Sequence, residues 1–95
     1  MTYKLKFLPI ALKEWKKLDV TNKKRFKKKL EQRLEQPHNQ KNKLSGYKNH
    51  YKIKLQSSGY RLVYEVIDKE VVVLVIAVGK RSKNMIYKKT RKRKA

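Results

Sequence analysis

From Val71 to Val78 the chain reads Val-Val-Val-Leu-Val-Ile-Ala-Val, an unbroken apolar run closed by Gly79. β-Branched side chains are stiff at χ1 and fit a pleated strand better than a helix. A strand with no polar side chain on either face needs cover on both, so this segment belongs inside a sheet and not at its surface. The run is far shorter than the ~20 residues that a membrane helix needs. Whatever else the chain does, it builds a sheet around residues 71–78.

The rest of the sequence supplies partners for that strand. Tyr3, Leu5 and Phe7 alternate with Lys4 and Lys6, and Tyr51, Ile53 and Leu55 alternate with Lys52 and Lys54, the period-two signature of half-buried strands. Tyr60 to Asp68 reads as a further strand, with Leu62, Tyr64 and Val66 on one face and Arg61, Val63, Glu65 and Ile67 on the other. Ser57-Ser58-Gly59 and Lys69-Glu70 are short turns, and strands joined that tightly pair antiparallel.

Between the first two strands the period changes to that of a helix. Pro9 opens one helix, with Ala11, Trp15 and Leu18 inward and Lys13, Glu14, Lys16 and Lys17 toward solvent. Thr21 is the expected N-cap of a second, whose stripe is Phe26, Leu30 and Leu34 and which Pro37 ends. His38 to Asn49 reads as a loop anchored by Leu44 and Gly46. The expected fold is therefore α+β: a four-stranded, mainly antiparallel sheet with an N-terminal αα-hairpin on one face, in the order β-α-α-β-β-β plus a short C-terminal segment. Residues 1–87 form a single domain, and the basic block 88–95 is expected to be a mobile tail.

Charge narrows the function. Lys and Arg number 28 against 7 Asp and Glu, a formal net charge of +21 in 95 residues. Such a field favours polyanions, and nucleic acid fits better than a membrane because the cations are spread along the chain and not gathered on one amphipathic helix. Cysteine is absent, which removes disulfides and thiolate chemistry. The opening residues lack the apolar core of a signal peptide, so a cytoplasmic protein is expected. No cofactor and no metal are expected, because the ligand-type residues are scattered. His50 reads as a partly exposed residue at the loop end, and Glu65 as an ion-pair partner for a nearby Lys or Arg.

The chemistry left over is cationic. Lys52 and Lys54 share a face, and Arg61 joins them across the hairpin, a grouping that suits either a solvated basic surface or a phosphate site. Arg81 and Tyr87 follow the central strand. Strict alternation sends Arg81 to the helix-covered face unless a bulge at Gly79 turns it to the open one. Lys43, Lys48, Lys80, Lys83 and Lys88 are further expected RNA contacts.

The segments Tyr51-Lys52-Ile53-Lys54-Leu55, Ser58-Gly59-Tyr60-Arg61-Leu62-Val63-Tyr64 and Val78-Gly79-Lys80-Arg81, followed by Tyr87, resemble the RelE toxins of bacterial toxin–antitoxin pairs. Ala11-Leu12-Lys13-Glu14-Trp15 and Leu44-x-Gly46 extend the resemblance, which runs from Tyr3 to about Tyr87. It implies metal-free cleavage of mRNA in the ribosomal A site, by attack of a 2′-OH on the adjacent phosphorus, and contact with 16S rRNA there. It also implies an acidic RelB-like antitoxin as partner. Within that resemblance Lys52 and Lys54 bind the backbone, and Lys54 is the better placed to help remove the 2′-OH proton. Arg61 stabilises the transition state, Arg81 meets the phosphate and leaving oxygen, and Tyr87 stacks on or orients a base. Ser45 departs from the pattern, since many relatives carry Arg before the loop Gly, and so does the unusually basic stretch after Tyr87. The alternatives are a ParE-like toxin that inhibits gyrase without catalysis and a plain basic RNA-binding module.

Overall fold

The computed structural model describes residues 2–55, 58–80 and 90. The apolar run becomes β4 (Val72–Lys80), which lies between β1 (Lys4–Phe7) and β3 (Tyr60–Ile67); β2 (His50–Leu55) completes a four-stranded sheet in the order β1-β4-β3-β2. β2–β3 and β3–β4 pair antiparallel, whereas β1 runs parallel to β4. Two helices, α1 (Pro9–Lys16) and α2 (Val20–Glu35), carry the chain from β1 to β2 at the other edge, and two antiparallel turns then return it through β3 to β4 beside β1.

The helices cover one face of the sheet. Ala11, Phe26 and Leu30 pack there against Tyr51, Ile53, Leu62, Tyr64, Val66, Val73, Val75 and Val78. Trp15 bridges the layers, with its ring 5.4 Å from that of Phe7 and 6.2 Å from that of Phe26. On the opposite face Leu44, Val63, Ile76 and Ala77 form a second, smaller cluster with Leu8, Tyr47 and Leu74 against it. β4 is thus covered on both sides, as its composition requires.

Four local expectations need correction. The N-cap of α2 is Asp19, whose carboxylate takes a 2.6 Å hydrogen bond from Asn22; Thr21 lies within the first turn. Val20 is already helical, because the chain reverses at Asp19, where the backbone is still extended. Val71 is not in the strand: it closes a 3₁₀ turn (Asp68–Glu70) in the left-handed conformation, at φ 55° and ψ 48°. A β-branched residue there is strained, and its carbonyl is held by the Lys4 N–H at 2.8 Å.

The bulge in β4 falls at Ile76 and not at Gly79. Val63 pairs with Ala77 but Tyr64 with Val75, so Ile76 is the extra residue and lies with Ala77 in the second cluster. Finally, Glu14 does not face solvent: it is half-buried and accepts a hydrogen bond from the backbone N–H of Val78 at 3.2 Å.

Candidate RNA-cleaving site

The face away from the helices divides into two halves. One is apolar and covered by the loop around Leu44 and Tyr47. The other carries Lys52 and Lys54 of β2 and Arg61 of β3, all half-buried. Register makes Lys54 and Arg61 direct cross-strand partners, with Lys52 opposite Val63 and Gly79 opposite Arg61 on β4. The cationic grouping expected from alternation is therefore present, and Gly79 leaves the position beside Arg61 without a side chain.

Helix α2 fixes how closely these side chains approach. β2 is an edge strand, and the Lys52 and Lys54 carbonyls point away from β3, accepting hydrogen bonds from Arg33 Nη1 at 3.3 Å and Lys29 Nζ at 3.0 Å. Lys52–Val63 and Lys54–Arg61 are consequently the non-hydrogen-bonded pairs of the ladder, the type in which Cα atoms approach to roughly 4.5 Å. Two cations so placed repel, and an anion bound between them relieves the repulsion. Covering the outer edge with helix side chains also blocks a further strand from adding there.

Arg33 has a second role. Its guanidinium donates to the Tyr64 hydroxyl at 3.0 Å, and that hydroxyl donates to the Pro37 carbonyl at 2.8 Å, joining the end of α2 to the middle of β3. Burial pushes the Tyr64 phenol up, and the nearby Arg33 offsets part of that. The sequence gives no sign that Arg33 or Lys29 supports the site, because both read as solvent-facing helix residues.

The remaining expected site residues divide. Lys80 ends β4 over the Tyr60 ring, 5.6 Å from its centroid, on the helix side of the sheet and away from Lys54 and Arg61. Lys43 is exposed and bridges to Tyr51 beyond the β2 edge, and Lys48 is exposed in the loop before β2. Arg81, Tyr87, Lys83 and Lys88 lie outside the described residues, as does the tail except Thr90, which is helical and buried.

Two residues differ from expectation. His50 is buried, at 4% exposure, because the loop folds back and sets the Tyr47 ring 4.8 Å from its own. Glu65 stands in register between His50 and Leu74, so neither cross-strand neighbour is the expected Lys or Arg.

At the opposite end of the sheet, Tyr3 donates to Asp68 at 2.7 Å and His38 Nε2 lies 3.0 Å from the same carboxylate. The Tyr3 hydrogen bond, then that of His38, holds the Asp68 carboxyl below its ordinary value, and the same bond raises the Tyr3 phenol. This group ties three distant segments together and stands apart from the cationic face. Among the described residues no cluster of three His, Cys, Asp or Glu side chains is placed to hold a metal ion, and no helix is long and apolar enough to cross a membrane.

Comparison with known proteins bears on the family and the fold. The family model for the ParE toxin of type II toxin-antitoxin systems, parDE, matches residues 5–85. The mRNA interferase toxin RelE of Escherichia coli (strain K12) is 55% identical over 93 residues, covering 98% of each chain. A free-state structure of an arginine-to-alanine mutant of E. coli toxin RelE superposes with a TM-score of 0.93 at 53% identity, over the whole of both chains. The toxin chain of the intact E. coli RelBE toxin-antitoxin complex gives a TM-score of 0.82 at 57% identity, covering 84% of this chain and 98% of that one.

Proposed function

This chain belongs to the RelE/ParE family of type II toxins, and on that premise we propose that it is a ribosome-dependent endoribonuclease that halts translation by cutting mRNA in the A site. The observation that carries the reading is the direct pairing of Lys54 with Arg61 on the sheet face away from the helices, with Lys52 beside them and side-chain-free Gly79 across from Arg61. That face gathers cations, whose sign suits a phosphodiester.

The reaction needs little from the protein beyond charge and alignment. A ribose 2′-oxygen bonds to the adjacent phosphorus, the bond to the 5′-oxygen breaks, and the products are a 2′,3′-cyclic phosphate and a 5′-OH. The proton lost from the 2′-OH passes to Lys54 or to water near it, and the leaving oxygen takes one from Arg81 or solvent. Lys52 holds the backbone and Arg61 its developing charge, since preorganised cations act most strongly on charge that appears in the transition state. Tyr87 orients a base. Lys43 and Lys48 add positive charge for mRNA and 16S rRNA, Lys80 adds it from the helix side of the sheet, and Lys83 and Lys88 are further contacts under this reading.

Alignment is the term such a site supplies least, and it is worth roughly 7–11 kcal/mol when ideal. A ribosome that bends the codon into line supplies it, which places the protein's action in the cytoplasm. The RelE chain of the E. coli complex is bound by the antitoxin RelB, and the counterpart here is an acidic protein that covers the cationic face.

The test is cleavage of mRNA programmed on purified ribosomes, with the new ends identified chemically. Cyclic-phosphate and 5′-OH ends on ribosome-bound mRNA, with little cutting of naked RNA, are expected. Arg81→Ala and Arg61→Ala are expected to slow single-turnover cleavage much more than they weaken ribosome binding. Inhibition of DNA gyrase by a protein that leaves RNA intact would replace this reading.

A further inference from the structure

Glu14 is an acid in a chain that carries few, and one of its carboxylate oxygens accepts from a backbone N–H in the middle of the sheet. Past Val75 the ladder between β1 and β4 ends: Leu8 N–H donates to the Val75 carbonyl at 3.0 Å, and Pro9 then turns the chain into α1. The Ile76 bulge follows immediately, so the stretch of β4 after it has a strand partner on one side only. Leu62 and Val78 are cross-strand partners, and the Val78 N–H points away from β3 into the space that β1 has vacated. Glu14 reaches from α1 into that space and accepts it at 3.2 Å.

The position matters because the bulge inverts alternation. Before it, Val73 and Val75 face the helices; after it, Val78 does, and Gly79 falls on the face away from the helices, opposite Arg61. If the bulge is lost, the pairing beyond it slips by one residue, and such a slip exchanges the two faces of everything that follows. Residues 79 and 80 lead directly to Arg81. A slip would bring the Lys80 side of the strand to the face of Lys54 and Arg61 and carry Gly79 away from it.

We propose that Glu14 is a positioning residue for RNA cleavage, locking the Ile76 bulge in register by holding the Val78 N–H. This inference rests on the endoribonuclease reading above. A charged acceptor makes a stronger hydrogen bond than a neutral one, and the half-buried setting limits competition from water. The lock is also selective. A register shift by one residue turns the Val78 N–H away from α1, and Glu14 then has no backbone donor at that place.

The experiment compares Glu14→Ala, Glu14→Met and Glu14→Gln in the full chain. Met keeps the length and apolar stem without a carbonyl acceptor, so it stands in if the Ala variant does not fold. Amide hydrogen exchange at Val78 and single-turnover cleavage of ribosome-bound mRNA are both measured. The Ala and Met variants are expected to expose the Val78 amide and to cleave roughly 10- to 100-fold more slowly once bound, the range set by an angstrom-scale misplacement. Ribosome affinity is expected to stay within about threefold, since binding of this kind is spread over many phosphate contacts. The Gln variant is expected to restore both readouts to near the parent's.

The inference is overturned if Val78 stays protected in the Ala and Met variants, if they cleave at the parent rate once bound, or if Gln behaves as they do. A parent protein that leaves ribosome-bound mRNA intact sinks the endoribonuclease reading instead, and the exchange data still report separately on the lock.

Discussion

Removing the Tyr64 hydroxyl perturbs the structure at one well-defined point. In Tyr64→Phe the ring keeps its packing, including the stack on Tyr51 at 5.6 Å, so no cavity forms beyond the volume of one oxygen. Two hydrogen bonds disappear: the donation to the Pro37 carbonyl at 2.8 Å and the acceptance from Arg33 at 3.0 Å. A neutral bond of this kind contributes about 1 kcal/mol and one to a charged group about 1.5–3 kcal/mol. Arg33 keeps its bond to the Lys52 carbonyl, which softens its loss. The carbonyl of buried Pro37 keeps its bond from the Asn39 N–H at 3.0 Å, so the cost there is also partial.

The expected destabilisation is therefore about 1–2 kcal/mol, roughly 4–16 °C in Tm for a domain of this size. Urea unfolding followed by the fluorescence of Trp15 measures it, with the dependence on urea concentration unchanged because the surface exposed is the same. A double-mutant cycle with Arg33→Met adds a second reading, with a coupling of at least ~0.5 kcal/mol expected for groups in one network. A loss below about 0.5 kcal/mol, or strict additivity in the cycle, would refute the claim that this relay holds α2 to the sheet beneath Lys52 and Lys54.

Asp68→Asn tests the Tyr3–Asp68–His38 tie. Asp68 is depressed below its ordinary value of 3.8, so its contribution is present above that pH and is lost as pH falls through the lower folded value. Tyr3 is raised above 10.0, so the same bond is kept below that pH and lost as pH rises through the higher folded value. The Tm difference between parent and Asp68→Asn is accordingly expected to be largest between those limits and to shrink at both ends; a difference independent of pH would contradict the tie. Val71→Asn is expected to raise stability by about 0.5–1 kcal/mol, since a left-handed backbone costs a β-branched residue roughly 1–2 kcal/mol, and a lower urea midpoint would show that the Val71 side chain contributes more than its strain costs. Cleavage is expected to persist in saturating EDTA when polyamines keep the ribosomes intact, and activity restored only by a particular transition metal would argue for a metal site built elsewhere in the chain.

The amino-acid sequence by itself determined what depends on near neighbours. The run from Val71 to Val78 specifies a strand covered on both faces, although Val71 itself falls in the turn before it, and the spacing of Phe26, Leu30 and Leu34 specifies a helix with one buried stripe, because both periods are read within a few residues. Lys52, Lys54 and Arg61 were legible as one cationic face for the same reason: a short hairpin fixes register, and register fixes sides. What only the tertiary structure decided are the features set by partners far along the chain. Nothing local to Ile76 marks it as the bulge, since its place depends on where β1 stops and where Glu14 finds the Val78 N–H. His50 is buried because Tyr47 folds over it, and Arg33 matters because β2 lies at the sheet edge beneath it. The physical difference is range. Side-chain alternation is a property of one strand, whereas a bulge, an edge carbonyl or a buried ring acquires its energy only when a distant segment arrives to pair with it.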